Sequence, residues 1–416
     1  MRLSSQRASA RLSSFAAIRR SHPPALAPSC RTRHRSRPPS RLRRFLISFA
    51  AIALLGLQAC SPVPPVIKIG VAQPLTGPVA ALGRDMLQGA QLAVDELNAQ
   101  GISVDGHRVQ LKIVSLDDES SAELGEQVAR TLVDEEVVAV LGHLNSGVSI
   151  RAAPIYAAAH IPQLAISTQP QYTQLGLDTT LRLVASDTVQ ARALGAFAAT
   201  LPARAYALVD DGTSYGKSLA DLAQQSLVSK GKLIAMRQSF DTTTTDFSSL
   251  VQELKAHPAE VVVNTLSDVQ VLALVDQLAA ARLTDIQIVG GDTLKTDKVL
   301  TRALPLQVFA ASPVLEPLEF YRGKAFVAAY TRAFGAPPLY GAHYAYDAIH
   351  MVVAAVQRSE SVDGQMLTRK LRELDFIAPV NSTMKFGADG EQLYGSVGIY
   401  RPRAGRWEPM MNSDRW

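Results

Sequence analysis

From Val66 onward, short β-branched runs alternate with longer stretches whose apolar residues recur at helical spacing. Val66 to Ala72 reads as a strand, and Pro74-Leu75-Thr76-Gly77-Pro78 as the turn that ends it. Between Gly83 and Gln100 the residues Met86, Ala90, Ala93, Val94 and Leu97 mark the inner face of a helix that Gly101 terminates. The same pattern predicts strands at Val109–Leu116, Val137–Leu141, Gln163–Ser167, Ala205–Val209, Leu233–Phe240, Val261–Leu266, Ile286–Val289 and Val308–Ala311. Helices are predicted at Ser121–Asp134, from about Ser149, over Tyr340–Gln357, and between most of the remaining strands. Strict β-then-α order implies parallel sheets covered by helices on both faces. About ten such units are too many for one compact open sheet. The expected fold class is therefore α/β, with two doubly wound parallel-sheet lobes.

In such sheets ligands bind beyond the carboxyl ends of the strands. The segments there are Gln73–Gly77, Gly142–Gly147, Ser167–Pro170, Asp210–Gly216, Ser267-Asp268 and Gly290–Asp292. They are rich in hydroxyls and glycine, carry a few carboxylates, and lack cysteine.

The N-terminal part follows a different logic. Arg41, Arg43 and Arg44 precede an apolar run from Phe45 to Leu57, which ends in Gln58-Ala59-Cys60-Ser61. Basic, apolar, small residue, cysteine is the order of a bacterial lipoprotein export signal, and the run is too short for a spanning helix of about 20 residues. The expectation is a leader over 1–59, lipid on Cys60 as the membrane attachment, and a proline-rich tether over 60–65. An uncleaved N-terminal anchor is the other reading of the same residues. Residues 1–40 also resemble a transit peptide, or a start placed too far upstream, and Arg43-Arg44-Phe45-Leu46 only faintly resembles a twin-arginine signal.

Charge then reads differently. Residues 1–59 hold twelve arginines and no acid, so the formal +5 of the whole chain leaves about −7 for the remainder. That balance makes no case for nucleic acid, which would call for a basic face in the folded part. With only Cys30 and Cys60 in the chain, the fold beyond the leader has no disulfide pair.

Several ordered segments carry a resemblance. They are Ile67–Val71 through Thr76-Gly77-Pro78-Val79-Ala80, Gly89–Asn98, Asp117-Asp118, Val140–Leu144, Asp211 through Tyr215-Gly216, Asp246–Val251, and Gly387 through Tyr394-Gly395. On these the chain resembles the periplasmic amino-acid-binding proteins of the leucine/isoleucine/valine type, the solute receptors of ABC transporters. The resemblance implies two lobes joined by a three-crossover hinge that closes on a ligand. It places 66–185 with 314–393 in lobe 1, and 186–313 with 394–416 in lobe 2. It also implies a periplasmic protein (at the cell surface in a Gram-positive cell), ABC permease subunits as partners, no cofactor and no enzymatic activity.

An amino acid needs a carboxylate for its ammonium and N–H or O–H donors for its carboxylate. By the resemblance, Ser146 and Thr168 are the donors, Asp292 holds the ammonium, and Tyr215 lines the cleft. Leu144, Asn145 and Ile166 flank these positions. Leu82 and Ser267 stand where leucine-type receptors carry tyrosines, and Asp292 replaces a glutamate, so the leucine preference does not carry over. Each hydroxyl could equally be a helix cap or turn residue, and Asp292 an N-cap.

Rival readings exist. Gly212-Thr213-Ser214-Tyr215-Gly216 fits the G-x-S-x-G nucleophile elbow, with Asp292 and His343 or His350 as conceivable partners. Against it, both histidines fall in a helical stretch, away from any strand end. The histidines show no metal-ligand spacing, and His143 reads as a packed loop residue. The same fold also serves outer-membrane lipoproteins that regulate cell-wall enzymes, and ligand sensors such as amide or urea receptors.

Overall fold

A computed structural model describes residues 63–413; the expected leader over 1–59, Cys60 and the start of the expected tether lie outside the described residues. Two sheets dominate. The first contains β1 (Val66–Gln73), β2 (Ile102–Val104), β3 (His107–Asp117), β4 (Ala139–Gly142), β5 (Gln163–Ala165) and β6 (Thr180–Arg182), in the order β2-β3-β1-β4-β5-β6. Its helices are α1 (Ala80–Gln100), α2 (Ala122–Asp134) and α3 (Ser146–Ala158). The second contains β7 (Ala205–Asp210), β8 (Leu233–Ser239), β9 (Val261–Asn264), β10 (Gln287–Gly290) and β11 (Val308–Ser312). Helices α4 (Asp187–Thr200), α5 (Ser214–Ser229), α6 (Ser248–Ala256), α7 (Asp268–Ala280) and α8 (Asp297–Leu300) accompany it.

The chain then returns to the first lobe as α9 (Gly323–Phe334), α10 (Ala342–Ser359), α11 (Gly364–Glu373) and the small pair β12 (Phe376–Ile377) and β13 (Thr383–Met384). It ends in the second sheet as β14 (Gly398–Arg403) and β15 (Arg406–Asn412). The second sheet's order is β15-β14-β11-β10-β9-β7-β8. The chain thus passes between the lobes three times.

Burial explains the strands. β4, β7, β9 and β11 are buried at every residue, as strands covered on both faces must be. Ile67, Ile69 and Val71 join Met86 and Ala90 of α1 and Ala345, Ile349 and Val352 of α10 in one apolar core. Edge strand β8 alternates exposed and half-buried residues instead.

The sheets are not purely parallel. β2 pairs antiparallel with β3, and β14 and β15 form an antiparallel hairpin on β11. The first hairpin turns at Asp105-Gly106, where φ is 47° and 73°, the backbone a tight two-residue hairpin needs. Helix α10 begins at Ala342, not at Tyr340 as the sequence pattern suggests. The amides of Leu339, Tyr340 and Ala342 all donate to the Asp85 carboxylate, which holds 339–341 as a turn before the helix.

Topology places the candidate loops. In the first sheet β3 and β4 flank β1, and in the second β8 and β9 flank β7, so strand order reverses at β1/β4 and at β7/β9. Such reversal points open the crevice where ligands of doubly wound sheets bind. Ser146 follows β4 and Tyr215 follows β7. Among the described residues, no helix is long and apolar enough to cross a membrane.

Candidate functional site

The loops past β5, β7 and β10 meet between the lobes. Ser214 Oγ donates to Gln169 Oε1 at 2.8 Å, and Tyr340 Oη donates to Asp292 Oδ2 at 2.7 Å; each bond joins one lobe to the other.

One end of the site suits an anion. Ser146 is the first residue of α3, behind an Asn145 whose extended backbone caps the helix without a side-chain bond. The opening amides of a helix have no carbonyl one turn back, and the positive end of the helix dipole lies there. Ser146 is buried, and among the described residues its hydroxyl accepts only a long 3.4 Å bond, from the Gln169 amide. Val148 and Ser149 already donate to the Asn145 carbonyl, so the hydroxyl together with the first two amides, of Ser146 and Gly147, makes the site for a carboxylate.

The other end is acidic. Asp292 opens the single turn Asp292–Leu294 after β10, with Gly291, not Asp292, at the N-cap position. Oδ1 accepts from Tyr215 Oη at 2.5 Å and Gln190 Nε2 at 3.2 Å, while Oδ2 takes the Tyr340 bond. A Cβ on Gly291 would lie 2.4 Å from the Tyr215 hydroxyl, so only glycine admits this approach. Burial, and then the Asp292 carboxylate, push both phenols well above their ordinary pKa and keep them as donors. All three donors are uncharged. They stabilise the Asp292 carboxylate without cancelling its charge.

Asp187, at the start of α4, is the second acid. It is fully buried, and burial, reinforced by the charge of Asp292, pushes its carboxyl up to about 8. The Thr168 hydroxyl lies near enough to ease that charge, yet neither carboxylate oxygen meets hydrogen-bond geometry. An unpaired buried carboxyl beside a charged one is costly, and a cation would relieve both. Thr168-Gln169 links the two ends, since Gln169 touches Ser146 and the Thr168 carbonyl accepts from the Asp187 amide at 2.7 Å.

Arg182 braces that link from beneath. Its guanidinium is fully buried, donates to the Ser167 carbonyl, to the Gln169 carbonyl at 3.0 Å and to Thr173 Oγ1 at 3.1 Å, and pairs with Glu391 at 2.9 Å.

The structure therefore brings Ser146, Thr168, Tyr215 and Asp292 to one cleft, with Asn145 at its edge. Leu144 is half-buried against the first-lobe core, and Ile166 and Leu82 are buried within it. Ser267 is committed elsewhere: it forms a capping box with Gln270 at the start of α7. Sequence reasoning missed Asp187, Gln190 and Tyr340. Asp187 follows a three-residue strand that the pattern did not reveal, and Tyr340 was assigned to the helix it precedes.

The elbow-like pentapeptide makes a cap. Thr213 Oγ1 accepts from the Gly216 amide at 2.9 Å, and the Ser214 hydroxyl is spent on Gln169. His343 and His350 lie within α10, where burial pulls them down to about 3 and about 4. His143 is fully buried between Asp118 Oδ2 at 2.7 Å and Tyr156 Oη at 3.2 Å, a packed loop residue. Among the described residues, no group of three or more His, Cys, Asp or Glu is placed to hold a metal ion.

The comparisons with known proteins agree on one family. A family model described as periplasmic binding protein matches residues 66–406. An amino acid binding protein of Pseudomonas aeruginosa is 31% identical over 75% of this chain and 83% of its own length. The Leu/Ile/Val-binding protein homolog 1 of Brucella melitensis is 27% identical over 85% and 94%. The branched-chain amino acid transporter substrate-binding protein LivJ of Streptococcus pneumoniae, solved in complex with isoleucine, superposes with a TM-score of 0.73 at 26% identity, covering 82% and 98%.

Proposed function

We propose, from the premise that this chain belongs to the periplasmic binding protein family, that it is the extracytoplasmic solute receptor of an ABC importer. Its ligand is an α-amino acid, branched-chain or a close analogue, held between lobe 1 (66–185 with 314–393) and lobe 2 (186–313 with 394–416). The supporting observation is the Asp187–Asp292 pair, one carboxyl unpaired and the other held only by neutral donors, joined through Thr168-Gln169 to the helix start at Ser146.

In this reading the solute ammonium lies between Asp292 and Asp187, and the Thr168 hydroxyl, which the resemblance assigns to the carboxylate, sits instead beside the ammonium because it lies against Asp187. The solute carboxylate takes the Ser146 hydroxyl and the opening amides of α3. Both lobes contribute, so the solute favours the closed form through contacts that only closure completes. Lipid on Cys60 would keep the receptor at the membrane, and ABC permease subunits would receive the solute.

Thermal melting of the purified protein against the common amino acids tests this. A solute at a hundred times its Kd stabilises the folded state by about 2.7 kcal/mol. A rise in Tm with branched-chain or related amino acids, lost in Asp292→Ala, supports the reading. No rise with any α-amino acid, in protein stripped of carried-over solute, refutes it.

A further inference from the structure

Tyr340 is the only first-lobe side chain whose bond to Asp292 is recorded among the described residues. Its ring is buried in the apolar core of the first lobe, with Leu82, Met86 and Ile166 in the same cluster. Its hydroxyl leaves that core and crosses to the acid of the second lobe.

The backbone that aims it is held with unusual completeness. Asp85, on α1 and 3% exposed, accepts the amides of Leu339 at 2.8 Å on Oδ1 and of Tyr340 and Ala342 at 2.9 Å each on Oδ2. Tyr330 Oη reaches Oδ1 at 2.9 Å as well, shared with Gln88 Oε1 at 2.7 Å. A Cβ at Gly341 would lie 2.6 Å from Met86 Sδ, so any larger residue there would have to displace the Met86 side chain. A carboxylate holding the amides of residues 339, 340 and 342 fixes where the Tyr340 ring leaves the backbone, at a charge-assisted strength that neutral bonds lack.

We propose that Tyr340 is the first-lobe residue that sets affinity by latching onto the solute-holding acid of the second lobe, and that Asp85 is its positioning residue. The proposal rests on the reading of Asp292 as the solute-holding acid. The bond forms only when the lobes approach, so it stabilises the closed form and orients the Asp292 carboxylate toward the solute. Tyr215 and Gln190 come from the same lobe as Asp292 and hold it whether the lobes are apart or together.

Tyr340→Phe removes the hydroxyl and leaves the ring in the core. A hydrogen bond to a charged group sets the scale, so solute affinity measured by calorimetry should fall about tenfold or more. The Tm of the solute-free protein should stay near the parent's, and its radius of gyration by small-angle scattering should shift toward the open form. Asp85→Asn should weaken binding in the same direction, with faster amide exchange at 339–342. The double variant should lose no more affinity than Tyr340→Phe alone. Parental affinity and radius of gyration in Tyr340→Phe would reduce Tyr340 to a core tyrosine and overturn the proposal, as would additive losses in the double variant for the role of Asp85. Should the parent bind no α-amino acid, the proposed function fails, yet the scattering comparison still decides whether Tyr340 latches the lobes.

Discussion

Asp292 lies close enough to Asp187 that its charge helps raise the Asp187 pKa, and of the two, among the described residues, only Asp292 has hydrogen-bond donors on its oxygens. The pair therefore holds an asymmetric demand for positive charge.

If the pair holds the solute ammonium as proposed, this demand makes binding pH-dependent. Asp187 is pushed up to about 8, so it enters the neutral range largely protonated, faced by Asp292, Thr168, Arg182 and Glu391. An ammonium prefers the ionised form, so binding expels a proton below that value. Affinity for an α-amino acid should rise by up to about tenfold per pH unit toward pH 8 and then level off. Calorimetry in buffers of different ionisation enthalpy reads the proton directly. Asp187→Asn should bind weakly and with a flat profile.

The solute-free protein should show the opposite trend in stability. Asp187, and Asp347 which burial pushes up to about 7, keep protons that the unfolded chain sheds above about pH 4. Unfolding then releases protons, and stability falls as pH rises from about 4 to about 8. Tm measured across that window should decline in the parent, and less so in Asp187→Asn.

Asp292→Asn keeps the shape and removes the charge. Loss of a charge-assisted contact to the solute should lower affinity about a hundredfold, while Ser146→Ala, which removes one neutral donor, should lower it about tenfold. Equal losses in the two variants would contradict the assignment of ammonium and carboxylate ends.

Glu391→Ala should cost about 3 kcal/mol of stability, at the low end for a broken buried pair because Glu391 keeps 26% of its side-chain surface exposed while Arg182 keeps none. Since Arg182 also carries the Ser167 and Gln169 carbonyls, the variant should weaken solute binding as well. Denaturant unfolding and calorimetry on one preparation check both.

Much of this was legible in the chain, for physical reasons. Runs such as Val261–Asn264 are apolar at every position because the strand is covered on both faces, and no surface pattern interrupts them. Strand β6 is Thr-Leu-Arg; its arginine is paid for by Glu391, some 209 residues away, which no local pattern can show. β2 was overlooked although Asp105-Gly106 marks its turn, since three residues are too few to display alternation. Ser146, Thr168, Tyr215 and Asp292 follow strands, where topology directs attention. Asp187 and Tyr340 enter the cleft from the crossing segment and from a returning turn, so their roles depend on distant partners.

The three passages between the sheets also bear on how the chain can be divided. Neither lobe is a continuous stretch of sequence, because α10 must return to pack on β1 and β14 must return to pair with β11. A protease that nicks one passage leaves the halves threaded together by the other two. Gene truncation at any point between β1 and β15 leaves at least one sheet without a segment that completes it, so a fold of this design is made whole or not at all.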